Sequence, residues 1–200
     1  ELLGLQNLKI IDSNNYRHVE CDELIATQHP SYFDGFILDE QKHLPDWIVK
    51  WLRESFLEKS KRIDIKKNIF IDRSLSIFRH SQIINLDETQ NFLKEKNFDI
   101  VKLENLSFDE QIYVFSNAKI IVGAHGAGLT NLCFSNEKTK VIEIRSSKPG
   151  YGFQNKVYER ISKINNLDYN LLSTPYINEK NLDGDLQVDI KILNERLKDI

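Results

Sequence analysis

The chain has 200 residues, 40% of them hydrophobic and 28% charged, which is typical of one soluble domain or of one domain with part of a second. A formal net charge of −3 at pH 7 argues against a nucleic-acid binder and leaves open a local basic site for one small anion. No apolar run approaches the roughly 18 residues of a membrane span. Two cysteines are too few for a disulfide framework or a zinc cluster, and apolar neighbours indicate that Cys133 is a buried small hydrophobe.

The first 60 residues have an irregular pattern. Residues 22–26 are compatible with a strand, and residues 45–57 predict a helix that carries Trp47 and Trp51. We interpret this helix as core packing or as a brace between domains. Because the chain starts at Glu1 and contains no methionine, we expect it to be a fragment of a longer protein.

From residue 67 onward, strands and helices alternate. Short apolar runs predict strands at 67–72, 98–103, 119–123, 139–144 and 168–172. Helices are predicted at 87–96, with Asp87 as N-cap, and at 129–134 and 151–164. A further helix is predicted to start at a capping box formed by Ser107 and Glu110. Such alternation indicates βαβ units with right-handed crossovers, and therefore an α/β, Rossmann-like domain with a mostly parallel sheet.

A glycine-rich turn follows the most apolar predicted strand. Its residues are Gly123-Ala124-His125-Gly126-Ala127-Gly128-Leu129-Thr130-Asn131. In an open parallel sheet, ligands bind at the carboxyl ends of strands, and small residues let backbone N–H groups approach a phosphate or a sugar. The glycine order is G-x-x-G-x-G, which differs from the dinucleotide fingerprint and lacks the lysine of a P-loop. The alternative is a tight turn that needs glycine for positive φ, with His125 as a hydrogen-bonded turn residue.

Charged residues mark two further strand ends. Arg73 ends the first predicted strand and Arg79 follows six residues later, so together they can neutralise a diphosphate. Glu143 lies between apolar residues in a predicted strand, where a carboxylate needs a partner such as a ribose hydroxyl. The alternatives are that the arginines are solvated or pair with Asp72, Asp87 or Glu88, and that Glu143 forms a salt bridge with an arginine.

Several separated blocks of the chain resemble the family 61 glycosyltransferases. They occur in order within residues 22–172 and include Ile71-Asp72-Arg73, Arg79, Ile83-Ile84-Asn85, Glu104, Leu106, Glu110-Gln111, Ala118, the glycine-rich turn and Val141-Ile142-Glu143-Ile144. The resemblance implies a two-domain GT-B-like architecture, of which this chain forms one half. It assigns residues 1–60 to the remnant of an N-terminal domain with a connecting helix, 61–175 to a nucleotide-sugar-binding domain and 176–200 to a C-terminal tail.

The same resemblance implies an inverting glycosyltransferase that uses a nucleotide-sugar donor, commonly UDP-linked, and a glycan or polysaccharide acceptor. By position, the donor-binding residues are Arg73, Arg79, Gly126, Ala127, Gly128, Thr130, Asn131 and Glu143, with His125 as the candidate catalytic base. Arg73 and Arg79 hold the diphosphate, and Glu143 meets the nucleoside. The missing N-terminal half of the same enzyme then shapes the acceptor site, and it is the alternative source of the general base.

The implied chemistry requires no tightly bound cofactor and no metal, because arginines can stabilise the departing nucleoside diphosphate. The Asp183-Gly184-Asp185 triplet has the composition of a turn. Two alternatives remain: a non-catalytic nucleotide-sugar-binding module, and another Rossmann-type nucleotide-dependent enzyme. We expect a bacterial cytoplasmic protein, with peripheral association with the inner membrane left open.

Overall fold

The centre of the molecule is a five-stranded, entirely parallel sheet. It is seen in a computed structural model that describes residues 2–4, 6–12, 14–25, 44–76, 81–147, 156–175, 177 and 185–198. The strands are β1 (Asn68–Ile71), β2 (Asp99–Val101), β3 (Ile120–Ala124), β4 (Lys140–Ser146) and β5 (Asp168–Thr174). All five predicted strands are thus confirmed, to within two residues at each end.

The order of the strands in the sheet is β2-β1-β3-β4-β5. From β1 the chain moves to one side to form β2, then crosses back over to form β3 on the other side of β1. This is the order of a doubly wound, Rossmann-like α/β fold, whose ligand crevice lies where the winding reverses. The reversal here lies between the carboxyl ends of β1 and β3.

Helices cover both faces of the sheet. They are α1 (Asp46–Phe56), α2 (Leu86–Glu95), α3 (Phe108–Asn117), α4 (Val157–Ile164) and α5 (Ile190–Lys198). The crossover from β1 to β2 and the crossover from β2 to β3 run in opposite directions along the sheet. Because both are right-handed, their helices α2 and α3 lie on opposite faces. One buried cluster joins α1, α3 and α4 to Ile69 and Ile71, and the other joins α2 and α5 to Phe70.

Two predicted helix starts had different outcomes. The capping box is confirmed, since the Ser107 N–H donates to Glu110 Oε2 at 3.0 Å at the start of α3. The N-cap prediction for Asp87 is wrong, because α2 begins at Leu86 and its N-cap is Asn85. The Asn85 side chain is held by the backbone of Val188, from which it accepts and to which it donates at 2.9 Å. That contact is 103 residues away in the chain, so no local pattern indicates it.

Two further predicted helices differ from the structure. The short helix expected at 129–134 is a 3₁₀ helix that starts earlier (Ala127–Phe134). Its i→i+3 bonding is seen where the Leu129 N–H donates to the Gly126 carbonyl at 2.9 Å. The helix expected at 151–164 is present as α4 from Val157, and its predicted first residues lie outside the described ones.

The N-terminal predictions are corrected in part. Residues 22–25 form no strand, and Leu24 and Ile25 are exposed; Ala26 lies outside the described residues. In α1, Val49 and Phe56 are buried, whereas Trp47 is 59% and Trp51 47% exposed. The interpretation of this helix as core packing is confirmed through Val49 and Phe56, whereas the tryptophans lie on its exposed side. The role of this helix as an inter-domain brace stays a prediction.

The far end of the chain packs on the sheet. Leu186 accepts from the Ile84 N–H at 2.9 Å and donates to Gln82 at 2.7 Å, and α5 buries Leu193 and Leu197 in the second apolar cluster. The predicted domain boundaries remain predictions. Cys133 is buried, as expected. Within the described residues, no helix is both long and apolar enough to span a membrane.

Candidate functional site

The end of β1 is shaped by a buried aspartate. Asp72 is 2% exposed and accepts hydrogen bonds from the Ser74 N–H at 2.8 Å and from Gln90 Nε2 at 3.2 Å. Lys102 Nζ, at the end of β2, lies 3.6 Å from the same carboxylate. Such an Asx turn redirects the chain immediately after the strand. Arg73 is therefore directed toward the neighbouring strand end, that of β3.

The guanidinium of Arg73 lies against the glycine-rich turn after β3. Its Nη1 donates to the main-chain carbonyl of His125. A Cβ atom added to Gly126 would lie 2.6 Å from Arg73 Nη1 and 2.7 Å from Nε, closer than real contacts allow. Gly126 has φ 160° and ψ 167°, which is extended backbone. The alternative that this turn needs glycine for positive φ is therefore wrong at Gly126, where glycine instead permits close approach of the arginine.

A pocket of about 320 Å³ opens where the ends of β1, β2 and β3 meet. The lining residues that matter for the arguments below are Arg73, Glu104, Gln111, Ala127, Gly128 and Asn131. Four of the predicted donor-binding residues are among them. The side chains of His125 and Glu143 are not. The structure thus divides the predicted site into a pocket at the switch point and a buried polar cluster beside it.

The buried polar cluster is centred on Glu143, which is fully buried in β4. His125 Nδ1 lies 2.5 Å from Glu143 Oε1. Arg145 donates to the same oxygen from Nε at 3.0 Å and Nη2 at 2.8 Å. The Tyr169 hydroxyl donates to Glu143 Oε2 at 2.5 Å. The salt-bridge alternative for Glu143 is thus the one the structure supports, and its carboxylate is held inside the protein.

The cluster keeps Glu143 ionised. Burial by itself raises the pKa of this carboxyl, but the hydrogen bond from His125, the charge of Arg145 and the Tyr169 hydroxyl together lower it below 4.5. Burial and the nearby Glu143 charge raise the pKa of the Tyr169 phenol, which therefore stays a donor. Facing an ionised carboxylate, Nδ1 of His125 carries the proton. Nε2 makes no hydrogen bond with a described residue.

Tyr158 of α4 packs against this cluster. Its ring centroid lies 5.1 Å from that of His125, and burial raises the pKa of its phenol to about 12. Its hydroxyl is hydrogen-bonded to the exposed Thr130, one of the predicted donor-binding residues. Thr130 therefore links the 3₁₀ helix to α4.

Sequence reasoning missed Gln111, Arg145, Tyr158 and Tyr169. The position of Arg145 was readable, since two residues along a strand return a side chain to the same face as Glu143. The position of Tyr169 depends on the pairing of β4 with β5, which no local pattern specifies. Arg79 lies outside the described residues, as do Asp183 and Gly184. The described part of the chain contains no group of three or more His, Cys, Asp or Glu side chains able to hold a metal ion.

Strand order and pocket position place this chain among doubly wound α/β proteins. The family model for glycosyltransferase 61 matches residues 10–142, and the chain belongs to that family. The recognised family is thus confirmed.

Three curated proteins are similar over shorter segments. The beta-1,2-xylosyltransferases of Oryza sativa subsp. japonica and Arabidopsis thaliana are each 34% identical, over 71 and 70 residues. The EGF domain-specific O-linked N-acetylglucosamine transferase of Gallus gallus is 35% identical over 68 residues. These segments cover 36%, 35% and 34% of this chain, but only 13%, 12% and 12% of the respective relatives.

Proposed function

We propose that this chain is the donor-binding part of an inverting, GT-B-like glycosyltransferase that transfers a sugar from a UDP-linked donor to a glycan acceptor. Membership of the glycosyltransferase 61 family supports the reaction class. The similarity to two xylosyltransferases and an N-acetylglucosamine transferase supports a glycan as the acceptor. The observation that carries the proposal is the position of Arg73, which lines a pocket at the switch point against a glycine-rich turn.

Arg73 supplies the positive charge for the donor diphosphate. Inverting transfer leaves a nucleoside diphosphate that must be stabilised as the bond to the anomeric carbon breaks. A guanidinium matches phosphate oxygens in shape and stays charged at every physiological pH. Ala127 and Gly128 also line the pocket and present no large side chain to the diphosphate. We place Arg79 at the same task, and we assign no metal and no tightly bound cofactor.

His125 is the candidate base for the acceptor hydroxyl, through Nε2. Glu143 holds the proton at Nδ1, so a proton taken up at Nε2 gives an imidazolium that the buried carboxylate stabilises. Its side chain is 8% exposed, and its ring lies beside that of Tyr158. The contribution of Glu143 is then to orient His125, and this replaces the contact with the nucleoside expected from the sequence.

The partners that complete this enzyme are an acceptor-shaping N-terminal half, a nucleotide-sugar and a glycan. A bacterial cytoplasmic location with peripheral membrane association stays a prediction, and the relatives named above come from Oryza sativa, Arabidopsis thaliana and Gallus gallus.

Calorimetric titration of the 200-residue chain with UDP, GDP and NADH in parallel tests the donor proposal. We expect selective binding of UDP and a loss of about tenfold or more in Arg73→Ala, because a hydrogen bond to a charged group contributes about 1.5 to 3 kcal/mol. Arg62→Ala is the matched control, since Arg62 is exposed and does not line the pocket. Binding of NADH in preference to both nucleotides would show that the chain is another kind of Rossmann-type enzyme.

Kinetics of the full-length enzyme test whether His125 acts as the base. If Nε2 is the base, His125→Ala lowers turnover by about 100-fold or more and donor affinity much less. Equal losses of turnover and donor affinity would count against His125 as the base, since the main-chain carbonyl that accepts from Arg73 is kept in this variant.

A further inference from the structure

Two amide side chains form a linked pair on one wall of the switch-point pocket. Gln111, on α3, donates from Nε2 to the carbonyls of Leu103 at 3.0 Å and Leu106 at 3.2 Å. Asn131, on the 3₁₀ helix after β3, donates from Nδ2 to Gln111 Oε1 at 3.0 Å and to the Gly128 carbonyl at 3.3 Å. Both side chains line the pocket.

The chemistry of these contacts fixes which way each amide faces. The carbonyls of Leu103 and Leu106 only accept hydrogen bonds, so the NH₂ group of Gln111 must point at them. Its oxygen then faces Asn131, which must present its own NH₂ group. Turning Asn131 over would place its oxygen against both Gln111 Oε1 and the Gly128 carbonyl. The two backbone carbonyls after β2 thus fix the orientation of the Gln111 amide, and Gln111 in turn fixes that of the Asn131 amide.

Asn131 Oδ1 is the remaining polar atom of the two amides. It accepts no hydrogen bond from any described residue, and it lies at the end of the amide opposite to the donors. Because Asn131 lines the pocket, this end is the one available to a ligand. An amide oxygen with a fixed direction attracts hydroxyl or N–H donors and repels phosphate oxygens.

We propose that Asn131 determines specificity in the donor site by accepting, through Oδ1, a hydrogen bond from a hydroxyl of the nucleotide-sugar. Gln111 is the positioning residue that fixes it. This inference rests on the proposed function. The ligand spans the pocket, with its diphosphate at Arg73 and a hydroxyl-bearing ring at Asn131, where the exposed Glu104 adds a second acceptor.

Gly128 is part of this arrangement. A Cβ atom there would lie 2.8 Å from Cδ1 of Leu103, so glycine lets the 3₁₀ helix pack closely against the segment after β2. That approach brings Asn131 within hydrogen-bond distance of Gln111. The glycine-rich turn therefore serves two contacts, one with Arg73 and one with the amide pair.

Titration with inorganic pyrophosphate, UDP and UDP-glucose tests the proposal on Asn131→Ala. We expect a loss of about 3-fold to 10-fold in affinity for the ligand whose hydroxyl is read, with pyrophosphate affinity unchanged. A loss for UDP places the donor in the nucleoside, and a loss for UDP-glucose alone assigns it to a hydroxyl of the sugar. Asn136→Ala is the matched control, because Asn136 is an exposed asparagine that donates to the Ser116 carbonyl away from this pocket.

Gln111→Met is the second variant, in case Asn131→Ala does not fold. Methionine is similar in size but has no amide to donate to the two carbonyls or to accept from Asn131, so Asn131 loses its anchor without a new charge in the pocket, and we expect the same ligand pattern with a smaller loss. Equal weakening of pyrophosphate, UDP and UDP-glucose in Asn131→Ala, or no change in any of them, would overturn the proposal while the donor site stands. If the parent chain binds pyrophosphate but neither UDP nor UDP-glucose, the proposed function fails and this inference with it.

Discussion

Single glycines shape the contact between Arg73 and the turn after β3. The added Cβ at Gly126 would meet the end of a flexible side chain, so the backbone has no need to move. What moves is the guanidinium, which then leaves the His125 carbonyl. Substitution of Gly126 is thus expected to weaken ligand binding with little effect on the stability of the fold.

We predict that Gly126→Ala weakens UDP binding by about tenfold, through the displaced charge of Arg73, and lowers the free energy of unfolding by less than about 1 kcal/mol. Calorimetry and urea unfolding measure the two quantities. Arg73→Lys serves as the comparison, since it keeps the charge without the planar fork and is expected to lose affinity by a similar factor. An alanine variant that binds UDP as the parent does would remove Arg73 from the donor site.

Among the elements, α5 carries more of the core than its polar sequence indicates. Leu193 is fully buried in the apolar cluster that also contains Phe70 of β1 and Ile142 of β4, whereas Ile192 beside it is 41% exposed. One face of the sheet is covered by α2 and α5, so loss of α5 would expose the centre of that face.

We predict that Leu193→Ala lowers the free energy of unfolding by about 2 to 5 kcal/mol, because it removes buried methyl groups and leaves a cavity. Ile192→Ala, on the same helix, is expected to change it by about 0.5 kcal/mol or less. Urea unfolding monitored by circular dichroism distinguishes them. Equal effects of the two substitutions would mean that α5 does not dock on the sheet as described.

The stability of the entire fold is coupled to pH through the cluster around Glu143. The pKa of Glu143 is lowered in the folded protein, so its ionised form stabilises that state. This contribution is present above pH 4.5, the ordinary value for the group, and is lost as the pH falls through the lower folded-state pKa.

We predict that Tyr169→Phe lowers the free energy of unfolding at pH 7 by about 1.5 to 3 kcal/mol, since its hydroxyl donates to a buried carboxylate. The deficit is expected to shrink as the pH falls through the lowered folded-state pKa of Glu143, where this carboxyl becomes protonated. Urea unfolding between pH 7 and pH 3 measures it. Tyr113→Phe is the matched control, because the Tyr113 hydroxyl bonds to no described residue. A deficit that stays constant with pH would show that Glu143 is not ionised in the fold.

Local signals in the sequence were sufficient for the five strands, for most of the helices and for the position of the turn, but they did not predict α5. Predicted strands of five or six residues located all five strands of the sheet, and the serine–glutamate spacing located the start of α3. These features depend on neighbours within a few positions, where side-chain period and capping chemistry act directly. The resemblance added the family, and with it the choice of Arg73 and the glycine-rich turn as donor-site residues.

Long-range packing determined the contacts that local sequence patterns do not indicate. The order of the strands makes the ends of β1 and β3 neighbours, so Arg73 reaches a turn 52 residues away. Strand pairing brings Tyr169 to Glu143 and encloses a carboxylate that was expected to face a ribose. The amide pair depends on the approach of the 3₁₀ helix to α3. Such contacts join positions far apart in the chain, and their energy depends on burial and geometry that exist only once the sheet has assembled.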